Sequence, residues 1–399
     1  MRSMKPDVSI VIPVYNAADV VETCLDSVVQ QTFKNLEIIC INDGSTDNSP
    51  DILQDYANRD SRIRIIHQQN VGQYPTRNIG LRHIQGRYML FVDCDDMVEP
   101  DLVEKVFYRA EADQADITML GWKYLVSPYR SPDVSTWNLQ SWHSGKTNNR
   151  FPMGFGYVWM KLYRKDFLDR HQLCFREEFY TKADVIFHWK SMSLAERVSV
   201  VPEPLYHYRV HDNSITGTIG KRFIQVISVM EAIKEDLLAI GDPKGLLPAW
   251  YPFAFNFIYG VYQQLAPQYR PEMKEELRRF LADLSMDEKA VYREKGKLPK
   301  NVRFFYLSLE STAAAFYYGT MFQICPAVSS RVRSLLLPHA LKKKLIELVK
   351  KRSYTLSLSP VNELRNTVAE QTEVANRLAA ENYYLRLELS IRQSEKNSS

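Results

Sequence analysis

Three aspartates fall within four positions of the sequence: Asp93, Asp95 and Asp96 follow directly on the apolar run Tyr88–Val92. Carboxylates this close repel one another unless a cation lies between them. Asp93 and Asp95 stand two apart, so an extended backbone points both to the same side. Mg²⁺ and Mn²⁺ take oxygen ligands of this kind and share them with substrate phosphates. The competing reading is that these acids cap a helix starting near Pro100. The stretch by itself does not choose between the two.

The elements that must position these residues can be read from hydrophobic periodicity. Val8–Val14 is a β-branched apolar run closed by Pro13-Val14-Tyr15-Asn16, a buried strand ending in a loop. Residues 19–31 repeat Val21, Cys24, Leu25 and Val28 at helical spacing. Leu36–Ile41 is a second strand, stopping at Asn42-Asp43-Gly44-Ser45-Thr46-Asp47, and a helix capped by Thr46 or Asp47 runs to about Tyr56. Ile63–His67 is a third strand, followed by Asn70-Val71-Gly72 and a helix through Arg77 to Leu81. Strands alternating with helices at this spacing predict a parallel, doubly wound sheet. Ligands bind such sheets beyond the carboxyl ends of the strands. Residues 13–16, 42–47 and 93–96 all fall there, so three strands aim polar groups at one crevice.

Composition narrows the class. At 399 residues the chain exceeds one ordinary domain, and 45% hydrophobic with 25% charged residues suits a globular protein. A net charge of +4 gives no electrostatic case for nucleic acid as a partner. Cys24, Cys40, Cys94, Cys174 and Cys325 are scattered, which argues against a zinc site or a disulfide framework and suits a reducing cytosol. The opening residues Met-Arg-Ser-Met-Lys-Pro lack the apolar core of a secretory signal, so a cytoplasmic location is expected. The uncharged stretches 245–269 and 311–330 are broken by prolines and amides before reaching the roughly 20 apolar residues of a membrane span. Neither a glycine-rich dinucleotide loop nor a Walker loop follows the first strand, which disfavours NAD and ATP.

Four segments carry a resemblance: Val-Ser-Ile-Val-Ile-Pro-Val-Tyr-Asn, Asn-Asp-Gly-Ser-Thr-Asp, Asn-Val-Gly-(x)₄-Arg-Asn-Ile-Gly-Leu and Phe-Val-Asp-Cys-Asp-Asp. In order and spacing they resemble the family 2 glycosyltransferases of the GT-A fold, of the type that builds bacterial surface polysaccharides. The resemblance covers roughly residues 6 to 220 and extends through Trp159-Met160-Lys161-Leu162-Tyr163-Arg164 and Pro204-Leu205-Tyr206-His207-Tyr208-Arg209-Val210-His211. It implies a Rossmann-like, mostly parallel sheet between helices. It also implies inverting, metal-dependent transfer of a sugar from a nucleotide donor, a UDP-sugar, to a glycan or lipid-linked acceptor.

Residue roles follow from the same likeness. Asp184 matches the family's general base, although the usual preceding Glu is Ala183 and Lys182 stands beside it. The alternative for Asp184 is a surface carboxylate at a helix N-terminus. Asp95 is implied as metal ligand, and Asp93 as ligand of the metal or the ribose. Asp43 is implied to hydrogen-bond the nucleotide base, with a turn role before Gly44 as its alternative. Pro13 and Tyr15 flank that base, or Tyr15 sits at the edge of the core. Arg77 resembles the arginine near the diphosphate, or it pairs with a surface acid. His211 is a further metal ligand or a structural loop residue. Asp96 contacts the acceptor or starts the next helix, and Trp159 and Lys161 border the acceptor side.

Beyond residue 220 the pattern stops. Helical periodicity covers Arg222–Ile240 and Glu272–Leu284. After Pro338, Lys342-Lys343-Lys344 and Lys350-Lys351-Arg352 bracket Leu345, Ile346, Leu348 and Val349, which reads as a membrane-surface helix or a soluble helix with a solvated face. Val361, Leu364, Val368, Gln371, Ala375, Leu378, Asn382, Leu385 and Leu389 fall alternately three and four apart, the seam of a coiled coil that would make a homodimer. Three domains are expected: residues 1–220 catalytic, 221–358 a helical extension and 359–399 the coiled-coil tail. A second reading from a different class is a catalytically weak relative that binds sugar nucleotide or acts as a scaffold subunit in polysaccharide assembly.

Overall fold

In a computed structural model of the chain, the structure describes residues 5–125, 145–146, 156–209, 220–293 and 298–310. The chain divides into two compact units, residues 1–291 and 292–399. In the first unit β1 (Val8–Val14), β2 (Leu36–Asp43), β3 (Ile63–Gln68) and β4 (Tyr88–Phe91) alternate with α1 (Val21–Val29), α2 (Ser49–Arg59) and α3 (Gln73–His83). Every residue of β4, and all of β1 except Pro13, is buried, as the uninterrupted apolar runs require of strands covered on both faces.

After β5 (Met97–Val98) and α4 (Leu102–Asp113) come β6 (Ile117–Leu125), β7 (Gly145–Lys146) and β8 (Lys161–Arg164). Next are α5 (Lys165–Arg170), α6 (Ala183–Leu194) and β9 (Arg197–Arg209). All nine strands form one sheet in the order β3-β2-β1-β4-β8-β6-β9-β5, with β7 paired to β9. The mostly parallel sheet expected from the alternation is therefore corrected. β3, β2, β1 and β4 are parallel, but β8 enters antiparallel between β4 and β6, and β5 and β7 also pair antiparallel to β9. The physical reason is that β1 to β4 are joined through the crossover helices α1, α2 and α3, which hold them parallel, whereas an antiparallel pairing needs no crossover.

The β6–β9 ladder is parallel and slips at Gly121, where Leu120 pairs Val201 but Gly121 pairs Pro204. A Cβ at Gly121 would lie 2.5 Å from the Glu203 carbonyl oxygen and 2.6 Å from that of Pro202. Only glycine admits that bulge. Its effect is to carry the end of β9 across to Asp96, as described below.

The rest of the unit is helical: α7 (Val226–Ala239), α8 (Leu247–Gln264), α9 (Arg270–Asp283) and α10 (Met286–Arg293). Ser285 and Glu288 form a capping box at the start of α10, with the Ser285 amide on Oε2 at 2.6 Å and the Glu288 amide on Oγ at 3.2 Å. In the second unit α11 (Lys300–Glu310) buries Val302, Phe305, Tyr306 and Leu309 at helical spacing. Among the described residues no helix is long and apolar enough to cross a membrane. The basic stretch 342–352, the heptad pattern 361–389 and His211 lie outside the described residues.

Candidate active site

Parallel pairing of β1 with β2 and β4 brings their carboxyl ends to one edge of the sheet. Side-chain hydrogen bonds then lock the loops together. The Asn16 backbone, at φ 46°, donates to Ser45 Oγ at 3.0 Å, and Asn16 Oδ1 accepts from the Thr46 amide at 2.8 Å. Ala17 and Ala18 donate their amides to Ser49 Oγ and Asp47 Oδ2, both at 2.9 Å. Asp47 Oδ1 also accepts from the Ser49 amide at 3.0 Å, so the Asn-Asp-Gly-Ser-Thr-Asp loop fixes the start of α2 and the first loop together.

Asp43 is buried at the tip of β2, and its two oxygens accept from Gln68 Nε2 at 2.7 Å, the Val71 amide at 2.9 Å and the Gly72 amide at 3.0 Å. The carboxylate thus shapes the loop before α3. Gly44 and Gly72, at φ 70° and 95°, supply the left-handed backbone those turns need. Pro13 is partly exposed, and Tyr15 is 50% exposed at the mouth of the crevice.

Helix α3 joins the two groups of acids. Arg77 is 2% exposed and donates Nη2 to Asp93 Oδ1 at 2.6 Å, and the Gln73 amide, turned with its oxygen toward the guanidinium, accepts from Nη1 and Nη2 at 2.8 and 2.9 Å. Its guanidinium also lies over the rings of Phe91 and Phe175 at 5.7 and 5.8 Å. Three residues earlier on the same face, Tyr74 Oη lies 3.4 Å from Asp184 Oδ1. Asn78 completes the set, exchanging hydrogen bonds of 2.8 Å with the backbone of Phe175 and donating to Glu177 at 2.9 Å. Asn78 thereby anchors the segment that leads to α6. Asp93 and Asp184, 91 positions apart in the sequence, are held from one helix.

Asp184 sits in the first turn of α6, where the helix dipole favours an anion. Lys182 precedes that helix at φ 63°, a left-handed conformation costing a non-glycine residue about 1–2 kcal/mol. Ala183 is fully buried, so its methyl is part of the packing.

The three aspartates do not cap α4; Asp101 stands at its N-cap position instead. Asp96 is 1% exposed: Oδ2 accepts from Tyr206 Oη at 2.6 Å and Oδ1 from the Arg209 amide at 2.7 Å. Tyr206 Oη in turn accepts from the Asp93 amide at 3.1 Å, and Arg209 Nε donates to the Asp95 carbonyl at 2.7 Å. Burial, then repulsion from Asp93 and Asp95, pushes the Asp96 carboxyl up to about 9. Burial also raises Asp93, with Arg77 opposing and Asp95 reinforcing the shift. Such mutual repulsion is what a bound cation relieves.

Among the described residues no three His, Cys, Asp or Glu side chains gather into a metal cage. Mg²⁺ and Mn²⁺ sites of the substrate-assisted kind need only one or two carboxylates plus phosphate and water. Asp93 and Asp95 fit that donor set.

Trp159 and Lys161, expected on the acceptor side, are 4% and 0% exposed. Trp159 stacks on Tyr206 at 4.3 Å and Tyr157 at 4.9 Å, and Lys161 donates to the Tyr157 carbonyl. Burial lowers the Lys161 ammonium to about 7 although Asp184 opposes the shift. Both residues brace the strand beside the site. Tyr74, Asn78 and Tyr206 were given no role from sequence, though all three lie within or beside the motif segments.

The profile of glycosyl transferase family 2 matches residues 9–172. An uncharacterized glycosyltransferase of Haemophilus influenzae is 30% identical over 224 residues, covering 53% of this chain and 68% of that protein. The uncharacterized glycosyltransferase EpsJ of Bacillus subtilis is 38% identical over 224 residues, covering 53% of this chain and 64% of that protein. The chain therefore spans a little under two thirds of EpsJ. S. aureus TarS 1-349, solved in complex with UDP-GlcNAc, has the same fold. Its TM-score is 0.64 at 18% identity, covering 78% of this chain and 89% of that one. The chain belongs to glycosyl transferase family 2.

Proposed function

We propose that the chain is an inverting glycosyltransferase that moves a sugar from a UDP-sugar to a hydroxyl of a glycan or lipid-linked acceptor. One observation carries this reading: Arg77 and Tyr74 hold Asp93 and Asp184 from the same face of α3. Two carboxylates far apart in the sequence, both held from one helix, support a donor-side role for Asp93 and a base role for Asp184. The UDP-GlcNAc complex of TarS, on the same fold, supports the donor class.

In this reading Pro13, Tyr15 and Asp43 surround the nucleotide base, and Asp43 also sets the loop geometry by its three hydrogen bonds. Arg77 acts by fixing Asp93 toward the donor. Asp184 accepts the proton of the acceptor hydroxyl while that oxygen attacks the anomeric carbon from the side opposite the diphosphate. The bond to the diphosphate breaks, and its electron pair leaves on the diphosphate oxygen. Asp93 and Asp95 would hold Mn²⁺ or Mg²⁺, with His211 as a further ligand, and the cation when bound neutralises the departing diphosphate. In this reading the molecule works in the cytoplasm, with residues 1–220 as the catalytic part.

Release of UDP from UDP-sugars in the presence of Mn²⁺ tests the reading. Asp184→Asn should lose roughly 10²–10⁴-fold in turnover while a donor sugar nucleotide still raises its melting temperature. An Asp184→Asn variant with undiminished turnover would overturn the assignment. Donor binding by wild type without turnover, across lipid-linked acceptors, would favour the scaffold reading instead, which Lys182 and Ala183 motivate.

A further inference from the structure

Helix α8 carries no acidic, basic or histidine side chain in its 18 residues. Trp250, Ala254, Phe255, Ile258 and Tyr262 bury one side of it. The residues Phe253, Asn256, Phe257, Gly260, Val261 and Gln264 recur at helical spacing along another side. That stripe, with Phe223 and Lys182, lines an open groove of about 400 Å³. The Phe253 and Phe257 rings are half-buried, their centroids 5.4 Å apart. A Cβ built on Gly260 meets nothing within 4 Å, so the groove has room where that residue lies.

Among the described residues that line this apolar slot, Lys182 carries the charge. Lys182 lies 5.9 Å from the Phe223 ring centroid. Arg222 stacks on the exposed ring of Tyr180 at 4.0 Å. No acid is among the described residues that line the groove. Lys182 is also two residues from Asp184, a span of at most about 7 Å along an extended chain. An apolar slot whose described lining carries a cation and no acid, next to the base, suits one kind of molecule. It is an amphiphile whose hydrocarbon chain ends in a phosphate.

We propose that this groove takes the hydrocarbon chain of a lipid-phosphate acceptor, with Lys182 binding its phosphate so that the attached sugar hydroxyl reaches Asp184. The assignment rests on the glycosyltransferase reading above and narrows its acceptor class. It also gives Lys182 a use where the family pattern has no positive charge.

Calorimetric titration of the full chain with farnesyl phosphate, below its micelle concentration, tests the site. Farnesol and inorganic phosphate serve as comparison ligands. Wild type should bind farnesyl phosphate at least tenfold more tightly than either. Gly260→Phe, which fills the slot, should lose at least tenfold in that affinity, whereas Gly260→Ala should retain it. Lys182→Gln should bring farnesyl phosphate down to the level of farnesol. Thermal melts establish that each variant is folded, and Lys182→Gln, at a partly exposed position, decides the matter if Gly260→Phe does not fold.

No binding of farnesyl phosphate, or equal binding by wild type and Lys182→Gln, overturns the proposal. Release of UDP by wild type separates the two readings. Turnover without farnesyl phosphate binding sinks the groove alone. Binding without turnover on any donor leaves the groove standing and sinks the enzyme reading.

Discussion

Lys161 is fully buried at the start of β8, near enough to Asp184 to feel its charge. Its ammonium is lowered by burial from 10.5 to about 7. Between those values the unfolded chain binds a proton that the folded chain does not, so this residue makes stability rise with pH across that window. Lys161→Met should therefore stabilise the protein at about pH 6, by up to ~5 kcal/mol, and the advantage should shrink by about pH 9. Urea denaturation at the two pH values checks this; a gain independent of pH would contradict it. At this scale the sequence named Asp93, Asp95 and Asp184 as acids of interest but could not name their partners. Arg77 read equally well as a surface ion-pair residue. Only packing of α3 against β1 and β2 puts Asp93 beside it and removes water from its guanidinium.

Among the elements, β9 was the hardest to read. Its end, Leu205–Arg209, is legible as a strand from Leu205, Tyr206 and Tyr208, but nothing local states that it slips against β6. The slip needs Gly121, and it delivers Tyr206 and Arg209 to the Asp96 carboxylate. Gly121→Ala should cost about 1–3 kcal/mol by forcing the β6 backbone from the Glu203 and Pro202 carbonyls. It should also weaken donor binding, because Asp93 and Asp96 share Tyr206. A thermal melt, read with and without UDP, measures both; loss of stability with donor binding intact would show that the bulge serves folding alone. The first four strands were legible because each is a continuous apolar run between polar loops. The antiparallel entry of β8 was not, because four residues carry no statement of direction.

For the whole molecule, the sequence beyond residue 310 carries two expectations that experiments on the intact chain can decide. Removal of residues 360–399 should lower the oligomeric mass by light scattering while sparing donor hydrolysis, since the heptad seam begins at Val361. An unchanged mass would rule out the coiled-coil dimer. The basic stretch 342–352 should make the chain sediment with anionic liposomes at low salt and release it at high salt. Failure to sediment at low salt would remove the membrane-surface reading.

By itself the sequence determined which residues end strands β1, β2 and β4 and that their polar tips share one edge. Buried apolar runs mark the strands, and a parallel β–α alternation leaves little choice of where the loops go. Tertiary structure decided what those tips do. It turned Asp43 into the anchor of the loop before α3, and it drew Asp96 inside against Tyr206 and Arg209. It also left Asp93 and Asp184 on one face of α3, and it left the uncharged face of α8 open beside Lys182. These are contacts between segments tens to more than a hundred residues apart. Local periodicity fixes which face of an element is apolar, but not what that face will meet.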